Sequence, residues 1–504
     1  MTVFSRFWRL DWLSERRAYR VLEIFPGLAV WGSLVLAIAV SFFAPLWAIA
    51  FIVVFDVYWV VRVIYVGSYL VMGFRRYQAA LRVDWPERLH TVPDWQSLHH
   101  LIMIPIAHEP WEVLRETLTS LSKIDYPLDR FIVVVATEGR YHEHAADLMA
   151  NVTKHFSGTF GQVLTVEHPA DLPGEVAGKG ANIAWAGRQA KELVDRLHIP
   201  YDHVIVSTFD ADSVAHPHYF SYLAYTYATH PDKLHTSYQP IPLFHNNIWD
   251  AMALMRVVAT STTFWLLGDT MRPDRLFTFS SHSMPFQALV DVGFWQNDVV
   301  SEDSRIFLQC FIHYDGHYTV TPMYIPISMD TVQAPSIWRS LVNQYKQIRR
   351  WAYGAENLPF MLWNFRHNHR IPLRTKLKYS WNQFEGTYSW ATAPLLILLL
   401  GWLPFAANRV ALESSVLANN APLILQRLMS GAMLGLLLSA IISTVMLPKR
   451  PQHIPRYQYV MMIGQWLLLP VTMIVFGSIP AIEAQTRLMF GKYLGFFVTE
   501  KSRS

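Results

Sequence analysis

Long apolar segments near both ends of the chain are the feature that most limits its fold. Residues 28–43 and about 47–72 are apolar enough to cross a hydrocarbon layer roughly 30 Å thick. Three more segments of this kind cover roughly residues 388–406, 422–447 and 457–478. A chain inside lipid must satisfy its own backbone hydrogen bonds, so these segments are predicted to be transmembrane helices.

The distribution of basic residues predicts how these helices are oriented. Residues 1–25 mix arginines with Trp8 and Trp12, which is typical of an amphipathic anchor at a membrane interface. Arginines also follow the second span, whereas the turn between the first two spans contains no Lys or Arg. The positive-inside rule therefore places the N-terminus and the region after residue 73 in the cytosol. A cleaved signal peptide is a weaker explanation, because the apolar run continues into a second span.

The C-terminal tail does not agree with a simple count of spans. Five full crossings would place residues 481–504 outside, although this tail contains Arg487, Lys492 and Arg503. Pro470 interrupts the last apolar segment, and a re-entrant segment there would return the tail to the cytosol. Both topologies remain open at this point.

Composition excludes several classes of protein. The single cysteine, Cys310, rules out an intrachain disulfide framework and a cysteine-based zinc site, which suits a reducing compartment. The net charge is +4, but the basic residues lie beside apolar segments and form no aromatic-interleaved stripe. We therefore expect membrane lipids, and no nucleic acid, among the partners.

The middle of the chain alternates short apolar strands with helical segments. The predicted strands cover residues 101–106, 130–137, 162–168 and 203–212, and the predicted helices cover 111–123, 141–156 and 181–197. This pattern predicts an α/β domain with a mostly parallel sheet and a ligand site at the carboxyl ends of the strands. The predicted domains are 1–73 (amphipathic segment and two spans), 74–330 (cytosolic α/β domain), 331–385 (interfacial amphipathic helices), 386–480 (about three C-terminal spans) and 481–504 (tail).

Two carboxylates close the last of these predicted strands. Asp210 and Asp212 are one residue apart, and such a pair can hold a hard divalent cation with positions left for a diphosphate. The alternative is a solvated turn in which aspartate begins a helix. A three-residue motif alone does not separate these interpretations.

Two further groups of residues carry possible chemistry. Glu302 and Asp303 begin an amphipathic helix, where they either complement the helix dipole or supply a base that accepts a proton from an attacking hydroxyl. Gln347, Arg350 and Trp351 lie on a helix with basic and apolar residues at helical spacing. They either anchor the helix in lipid or bind phosphate and stack on a sugar ring.

The order of these three motifs, followed by membrane spans, resembles the processive family 2 glycosyltransferases, which include cellulose, hyaluronan, chitin and mannan synthases. The resemblance covers about residues 100–355 and implies a GT-A domain inserted between membrane helices. It implies that Asp210 and Asp212 bind Mg²⁺ or Mn²⁺ with the donor diphosphate, and that the acidic pair supplies the base, for which we choose Asp303. It also implies that Gln347, Arg350 and Trp351 bind donor and acceptor.

Earlier elements match this family more loosely. Glu109 in IPIAHEP and Glu138 in ATEGR stand where the family contacts the nucleotide, and Lys179 lies in a glycine-containing element suited to phosphates. The stretch 279–285 departs strongly from the family's acceptor loop. The resemblance therefore says least about the acceptor.

The expected function is inverting, metal-dependent transfer of a sugar from a nucleotide-diphosphate sugar to a hydroxyl acceptor at the inner membrane face. A UDP-sugar is favoured as donor, a GDP-sugar is the alternative, and the acceptor is a glycan or a lipid. Elongation of a polysaccharide with extrusion is preferred over transfer of one sugar to a lipid or glycolipid. A transporter or scaffold with a nucleotide-binding domain is the rival from another class.

Overall fold

The computed structural model describes residues 13–407 and 415–495. Its helices are α1 (Leu13–Phe43), α2 (Pro45–Ala80), α3 (Trp85–Leu89), α4 (Trp111–Leu121), α5 (His142–Phe156), α6 (Lys179–Arg196), α7 (Tyr219–Thr229), α8 (Ala253–Asp269), α9 (Phe286–Asp291), α10 (Glu302–His313), α11 (Ile337–Ala352), α12 (Asn357–His367), α13 (Leu373–Ala407), α14 (Val416–Met446), α15 (Gln458–Gly464), α16 (Leu469–Met473) and α17 (Ile479–Met489). Its strands are β1 (His99–Pro105), β2 (Phe131–Glu138), β3 (Gln162–His168), β4 (Val204–Thr208), β5 (Val214–Ala215), β6 (Thr236–Leu243), β7 (Ser283–Pro285) and β8 (Thr319–Ser328).

The strands form one mixed eight-stranded sheet in the order β3-β2-β1-β4-β7-β6-β8-β5. Strands β3, β2, β1 and β4 pair in parallel, as the sequence pattern predicts, and β6 also pairs in parallel with β8. Strand β7 is antiparallel to both β4 and β6, and β5 is antiparallel to β8. These two strands have three and two residues, too few to produce a readable alternation.

Two apolar layers cover the sheet, one on each face. One layer joins the sheet to α4, α5 and α7 through residues such as Leu114, Val152 and Phe220. The other joins it to α6 and α10 through residues such as Ile183 and Phe307. Because both faces are covered, β1 and β2 are almost continuously apolar. The predicted strand 203–212 ends at Thr208, so both aspartates that follow lie in a loop beyond the sheet edge.

Among the described residues, five helical stretches are long and apolar enough to cross a membrane. They are Glu15–Phe43, Pro45–Ala80, Leu373–Ala407, Val416–Met446 and Gln458–Met489. One end of each of the first four packs on other parts of the chain. Tyr19 meets the ring of Trp363 on α12, and Arg76 lies over the ring of Tyr324 on β8. Tyr379 of α13 meets the ring of Phe307, and Met446 of α14 shares an apolar cluster with Leu243. The limits at residues 73 and 385 that the sequence predicts for the domains fall inside α2 and α13, which continue through them.

The fifth stretch, Gln458–Met489, is called the terminal apolar segment below. It contains 3-10 and π turns around α16, which begins at Leu469 just before Pro470. It contacts the α/β domain or α11 near its start, in its middle and near its end. The contacts are Tyr459 with Trp249 (ring centroids 5.3 Å apart), Gln465 with Arg256 (2.7 Å), Phe476 with Met255 and Ile348, and Glu483 with Arg349 (2.6 Å) and Tyr345 (2.7 Å).

Candidate active site

A buried lysine joins two of the predicted acidic motifs. Lys179 Nζ donates to Asp210 Oδ1 at 2.9 Å and to Asp303 Oδ1 and Oδ2 at 3.0 and 2.9 Å. Its side chain is 8% exposed. Burial lowers the pKa of Lys179, but the carboxylates of Asp210, Asp303 and Glu302 outweigh it and raise the pKa above its usual range. The lysine is therefore held as an ammonium ion between the two carboxylates.

Backbone geometry places this lysine at the site. Lys179 is the first residue of α6, and Gly178 before it has a φ of 149°, which a residue with a Cβ rarely adopts. The chain can therefore turn sharply into the helix and direct Lys179 toward the loop after β4. Gly180 lies against the side chain of Glu302, where an added Cβ would be 3.2 Å from the Cβ of that residue.

Asp210 and Asp212 are held in different ways. Ser280 Oγ donates to Asp210 Oδ2 at 2.6 Å, and the Asp210 side chain is 30% exposed. Asp212 is 3% exposed, and its Oδ2 accepts a hydrogen bond from the backbone N–H of Asp330 at 2.7 Å. The more exposed carboxylate is thus fixed by Lys179 and Ser280, and the buried one by the chain after β8.

These two carboxylates fit a magnesium or manganese ion, provided that a substrate supplies the other ligands. No cluster of three or more acidic, His or Cys side chains suited to a metal occurs in the part of the chain that the structure describes. Mg²⁺ is commonly held by one or two carboxylates together with phosphate oxygens, and both aspartates line a cavity. The donor set therefore suits an ion that arrives with a diphosphate.

The acidic pair at the start of α10 has two different environments. Glu302 is 1% exposed, and neither of its carboxyl oxygens has a hydrogen-bond partner. Burial, aided by the charge of Asp303, raises the pKa of Glu302 to about 8. Asp303 has a 21% exposed side chain and faces the Lys179 ammonium. The two carboxyl groups therefore differ in exposure and in the charge that each one faces.

The start of α10 has no side-chain cap. Ser301, the residue before α10, makes no side-chain cap and instead donates its hydroxyl to Glu356 at 2.6 Å. The acidic residues still lie in the first turn, where the helix dipole favours negative charge. The dipole therefore contributes without explaining the burial of Glu302.

The stretch 279–285, which departs from the family pattern, lies against the proposed base. Within it, His282 Nδ1 lies 3.8 Å from Asp303 Oδ1, and Thr278, the residue just before this stretch, donates its hydroxyl to the Asp303 carbonyl at 2.5 Å. Ser281 has a φ of +64°, which is unusual for a residue with a side chain. Sequence reasoning missed the contact of Ser280 with Asp210. The only signal for it was the position of this stretch between the two acidic motifs.

Helix α11 supplies the third motif. Its N-terminus is capped by Ser336, whose hydroxyl accepts from the Arg339 N–H at 3.2 Å. Gln347 is 6% exposed and accepts from Gln344 at 3.2 Å. Trp351 is partly buried and meets the Phe279 ring edge to face, with centroids 5.5 Å apart. The indole is therefore fixed by the same stretch that contacts Asp303.

The two earlier acidic candidates lie at strand ends. Glu109 Oε2 accepts from the backbone N–H groups of Ala107 and His108, at 2.7 and 3.1 Å, so this carboxylate also closes the turn after β1. Glu138 ends β2 and is 8% exposed, and burial raises its pKa. A smaller cavity of about 340 Å³ adjoins Glu138 and is also lined by His168 and Glu175, whose Nε2 and Oε2 atoms lie at hydrogen-bonding distance, 2.9 Å.

All ten candidate residues line one cavity of about 1910 Å³, called the central cavity below. They are Glu109, Glu138, Lys179, Asp210, Asp212, Glu302, Asp303, Gln347, Arg350 and Trp351. The central cavity continues from these residues between α2, α13, α14 and the terminal apolar segment. The tertiary structure brings the residues together, while their chemical roles stay predictions.

Comparison with known proteins finds two matching family models and several similar solved structures. A family model described as "Glycosyl transferase family group 2" matches residues 205–475, and one described as "Glycosyltransferase like family 2" matches residues 99–240. No curated protein matches the sequence. Similar solved structures include the mannosyltransferase PcManGT of Pyrobaculum calidifontis in complex with GDP-Man and Mn²⁺, at 15% identity and TM-score 0.45 over 84% of this chain and 99% of that one. They also include TarS 1–349 of S. aureus with UDP-GlcNAc, at 11% identity and TM-score 0.35 over 74% and 91%.

Proposed function

The chain belongs to the glycosyl transferase family group 2, and we propose that it transfers a sugar from a nucleotide-diphosphate sugar to a hydroxyl acceptor with inversion at the anomeric carbon. The family assignment confirms the predicted enzyme class and the GT-A-like fold class. The same assignment argues against the alternative that the chain is a transporter or a scaffold with a nucleotide-binding domain. The observation that carries the proposal is the Lys179 ammonium, which contacts Asp210 at 2.9 Å and Asp303 at 2.9 Å and so brings the proposed metal ligand and the proposed base to one point of the cavity.

The proposed reaction assigns one task to each group. Asp303 accepts the proton of the acceptor hydroxyl as that oxygen attacks the anomeric carbon, and direct attack inverts the centre. Arg350 and Gln347 hold the diphosphate, and Trp351 stacks on the sugar ring. Mg²⁺ or Mn²⁺, when held by Asp210 and Asp212, supplies positive charge to the leaving diphosphate.

The shape of the central cavity supports an extended acceptor. Small-molecule sites usually have volumes of about 300–1000 Å³, whereas this cavity has about 1910 Å³. A nucleotide sugar leaves room for a second ligand that reaches the transmembrane helices. We propose that this ligand is a growing glycan that passes between the helices. Transfer of a single sugar to a lipid is the second candidate, and the apolar walls contributed by α13 and α14 favour it.

The membrane topology that we propose has four crossings. The terminal apolar segment would lie along the membrane face of the α/β domain, because its contacts with that domain or α11 occur near its start, in its middle and near its end. A crossing helix would leave the domain within a few turns at 1.5 Å per residue. With the N-terminus in the cytosol, four crossings return the catalytic domain and the basic tail to the cytosolic side.

A screen of nucleotide sugars tests the proposed reaction. Purified protein in detergent is incubated with UDP- and GDP-sugars, with Mg²⁺, Mn²⁺ or EDTA, and released nucleoside diphosphate is measured. We expect release with one donor class, lost in EDTA and restored by the metal. Activity unaffected by EDTA would contradict the metal assignment, and products that stop after one sugar would contradict elongation.

A further inference from the structure

Three arginines line the part of the central cavity that faces the transmembrane helices. Arg62 lies on α2, and Arg272 and Arg275 lie in the loop after α8; together they are called the arginine cluster. The three side chains are 24%, 13% and 29% exposed, so all are largely buried. This cluster was not among the candidates identified from the sequence, because Arg62 lies more than 200 residues before Arg272 and Arg275.

The cluster carries more positive charge than its protein partners neutralise. Glu385 pairs with both Arg62 and Arg275, the latter at 3.2 Å, and Asp269 pairs with Arg272. The next nearest acidic residue on this loop, Asp274, pairs with Lys378 at 2.9 Å. Three guanidinium groups therefore share two carboxylates. A largely buried charge without a counter-ion is costly, so the site favours an additional anion.

Hydrogen-bond donors are also left over. A guanidinium group has five N–H donors; Arg272 donates to Asp269, and its guanidinium also lies over the rings of Tyr65 and Tyr69. Its Nε is buried and has no partner. The guanidinium fork matches the oxygens of a phosphate group. The N–H donor without a partner and the excess positive charge therefore both favour a phosphate group as the ligand.

The helix lengths place the cluster at the depth of lipid headgroups. At 1.5 Å per residue, Arg62 lies about 26 Å along α2 from Pro45, and Glu385 lies about 33 Å along α13 from Ala407. Both lengths are close to the roughly 30 Å thickness of a hydrocarbon core. Trp59, whose ring lies 5.0 Å from the Arg62 guanidinium carbon, is the kind of aromatic residue found at this interface.

The cluster is connected to the proposed base, which separates it from ordinary lipid anchors on an outer surface. Arg275 is three residues before Thr278, whose hydroxyl donates to the carbonyl of Asp303. Both arginines of this loop line the same cavity as Asp303. A lipid whose phosphate is held by the cluster would therefore extend its polar end toward the reacting groups.

We infer that the arginine cluster binds the phosphate of an acceptor lipid, so that the sugar is transferred to a hydroxyl of a phosphate-bearing lipid or of a glycan attached to it. This inference rests on the proposed function, because it names the acceptor class of the same reaction. It predicts that a phosphate and an alkyl chain on one molecule are both needed for tight binding.

The test measures binding of three probes to the full chain in neutral detergent by isothermal titration calorimetry. The probes are decyl phosphate, decanol and inorganic phosphate. We expect decyl phosphate to bind at least about tenfold more tightly than the other two. Equal binding of decanol would overturn the phosphate site, and equal binding of inorganic phosphate would overturn a lipid as its ligand.

Variants connect the binding to the cluster. Arg272→Gln is expected to weaken decyl phosphate binding about tenfold or more, whereas Arg370→Gln, which removes an exposed arginine paired with Asp315, should leave it unchanged. Asp269→Asn removes a competing carboxylate and should strengthen binding several-fold, a result that loss of folding cannot imitate. Unchanged binding in both Arg272→Gln and Asp269→Asn would refute the assignment.

Donor turnover distinguishes this inference from the proposed function. Nucleoside diphosphate release by the wild-type chain is measured beside the binding experiment. Release without selective binding of decyl phosphate would overturn the acceptor inference and leave the sugar transfer intact. Absence of release with every donor would instead count against the proposed function, whatever the probes do.

Discussion

Replacement of the proposed base, Asp303→Asn, gives the sharpest test of the chemistry. Both carboxylate oxygens lie within 3.0 Å of Lys179 Nζ, and asparagine keeps the shape and one oxygen acceptor but cannot take a proton. Loss of a general base usually lowers the rate by about 10²–10⁴-fold, which corresponds to about 3–5.5 kcal/mol. We therefore expect kcat to fall by this amount.

Donor binding should change much less. Lys179 keeps its 2.9 Å contact with Asp210, and the metal candidates are untouched by the substitution. Loss of one negative charge, if it has any effect, should favour an anionic donor. We therefore expect the Kd for the nucleotide sugar to stay within about threefold, which is less than 1 kcal/mol.

The assay compares nucleoside diphosphate release with donor binding in the same purified sample. Asp315→Asn is the matched control, because it makes the same chemical change just after the far end of α10, where the carboxylate pairs with Arg370 at 3.0 Å. A variant Asp303→Asn with kcat within about threefold of the wild type would refute Asp303 as the base. Loss of donor binding together with turnover would indicate that Asp303 instead organises the donor site.

Three further predictions concern pH, packing and topology. The pKa of Glu302 is raised from an ordinary 4.5 to about 8, so the unfolded chain releases this proton at lower pH than the folded chain, and stability should fall as the pH rises from 4.5 to 8. Glu302→Gln should therefore flatten the pH dependence of the thermal midpoint, and an unchanged pH dependence would contradict the raised pKa. Gly73→Ala would place a Cβ against a backbone carbonyl of α8 and should cost about 1–3 kcal/mol in urea unfolding, unlike the uncrowded Gly268→Ala. With four crossings, Ser415 lies outside and Lys492 lies in the cytosol. In intact cells a membrane-impermeant maleimide should therefore label Ser415→Cys, whereas Lys492→Cys should be labelled only after lysis, with little background from buried Cys310. Labelling of both variants in intact cells would refute four crossings.

Local patterns in the sequence predict much of the architecture. The apolar runs of α1, α2, α13 and α14, and the parallel strands β1 to β4, are readable because their signal repeats within one element. The candidate residues were also found locally, since Asp210 with Asp212 and Glu302 with Asp303 are adjacent or nearly adjacent in the chain. The family assignment agrees with what these motifs predict at the level of enzyme class.

Contacts between distant parts of the chain are what the sequence does not reveal. Lys179 lies 31 residues before Asp210 and 124 residues before Asp303, yet its ammonium group joins them. The short strand β7 and the Ser280 contact depend on the same long-range packing. No local pattern marks such contacts, because each depends on how separate elements approach one another.

The apolar segments show most clearly what the sequence determines and what only the tertiary structure determines. The sequence by itself determines that five stretches are too apolar to remain in water, because transfer free energy depends on the residues alone. It does not determine what covers them, and only the tertiary structure packs the terminal apolar segment along the α/β domain and α11. The same packing buries three arginines beside two carboxylates within one cavity, because charge balance is a property of the folded site and not of any segment.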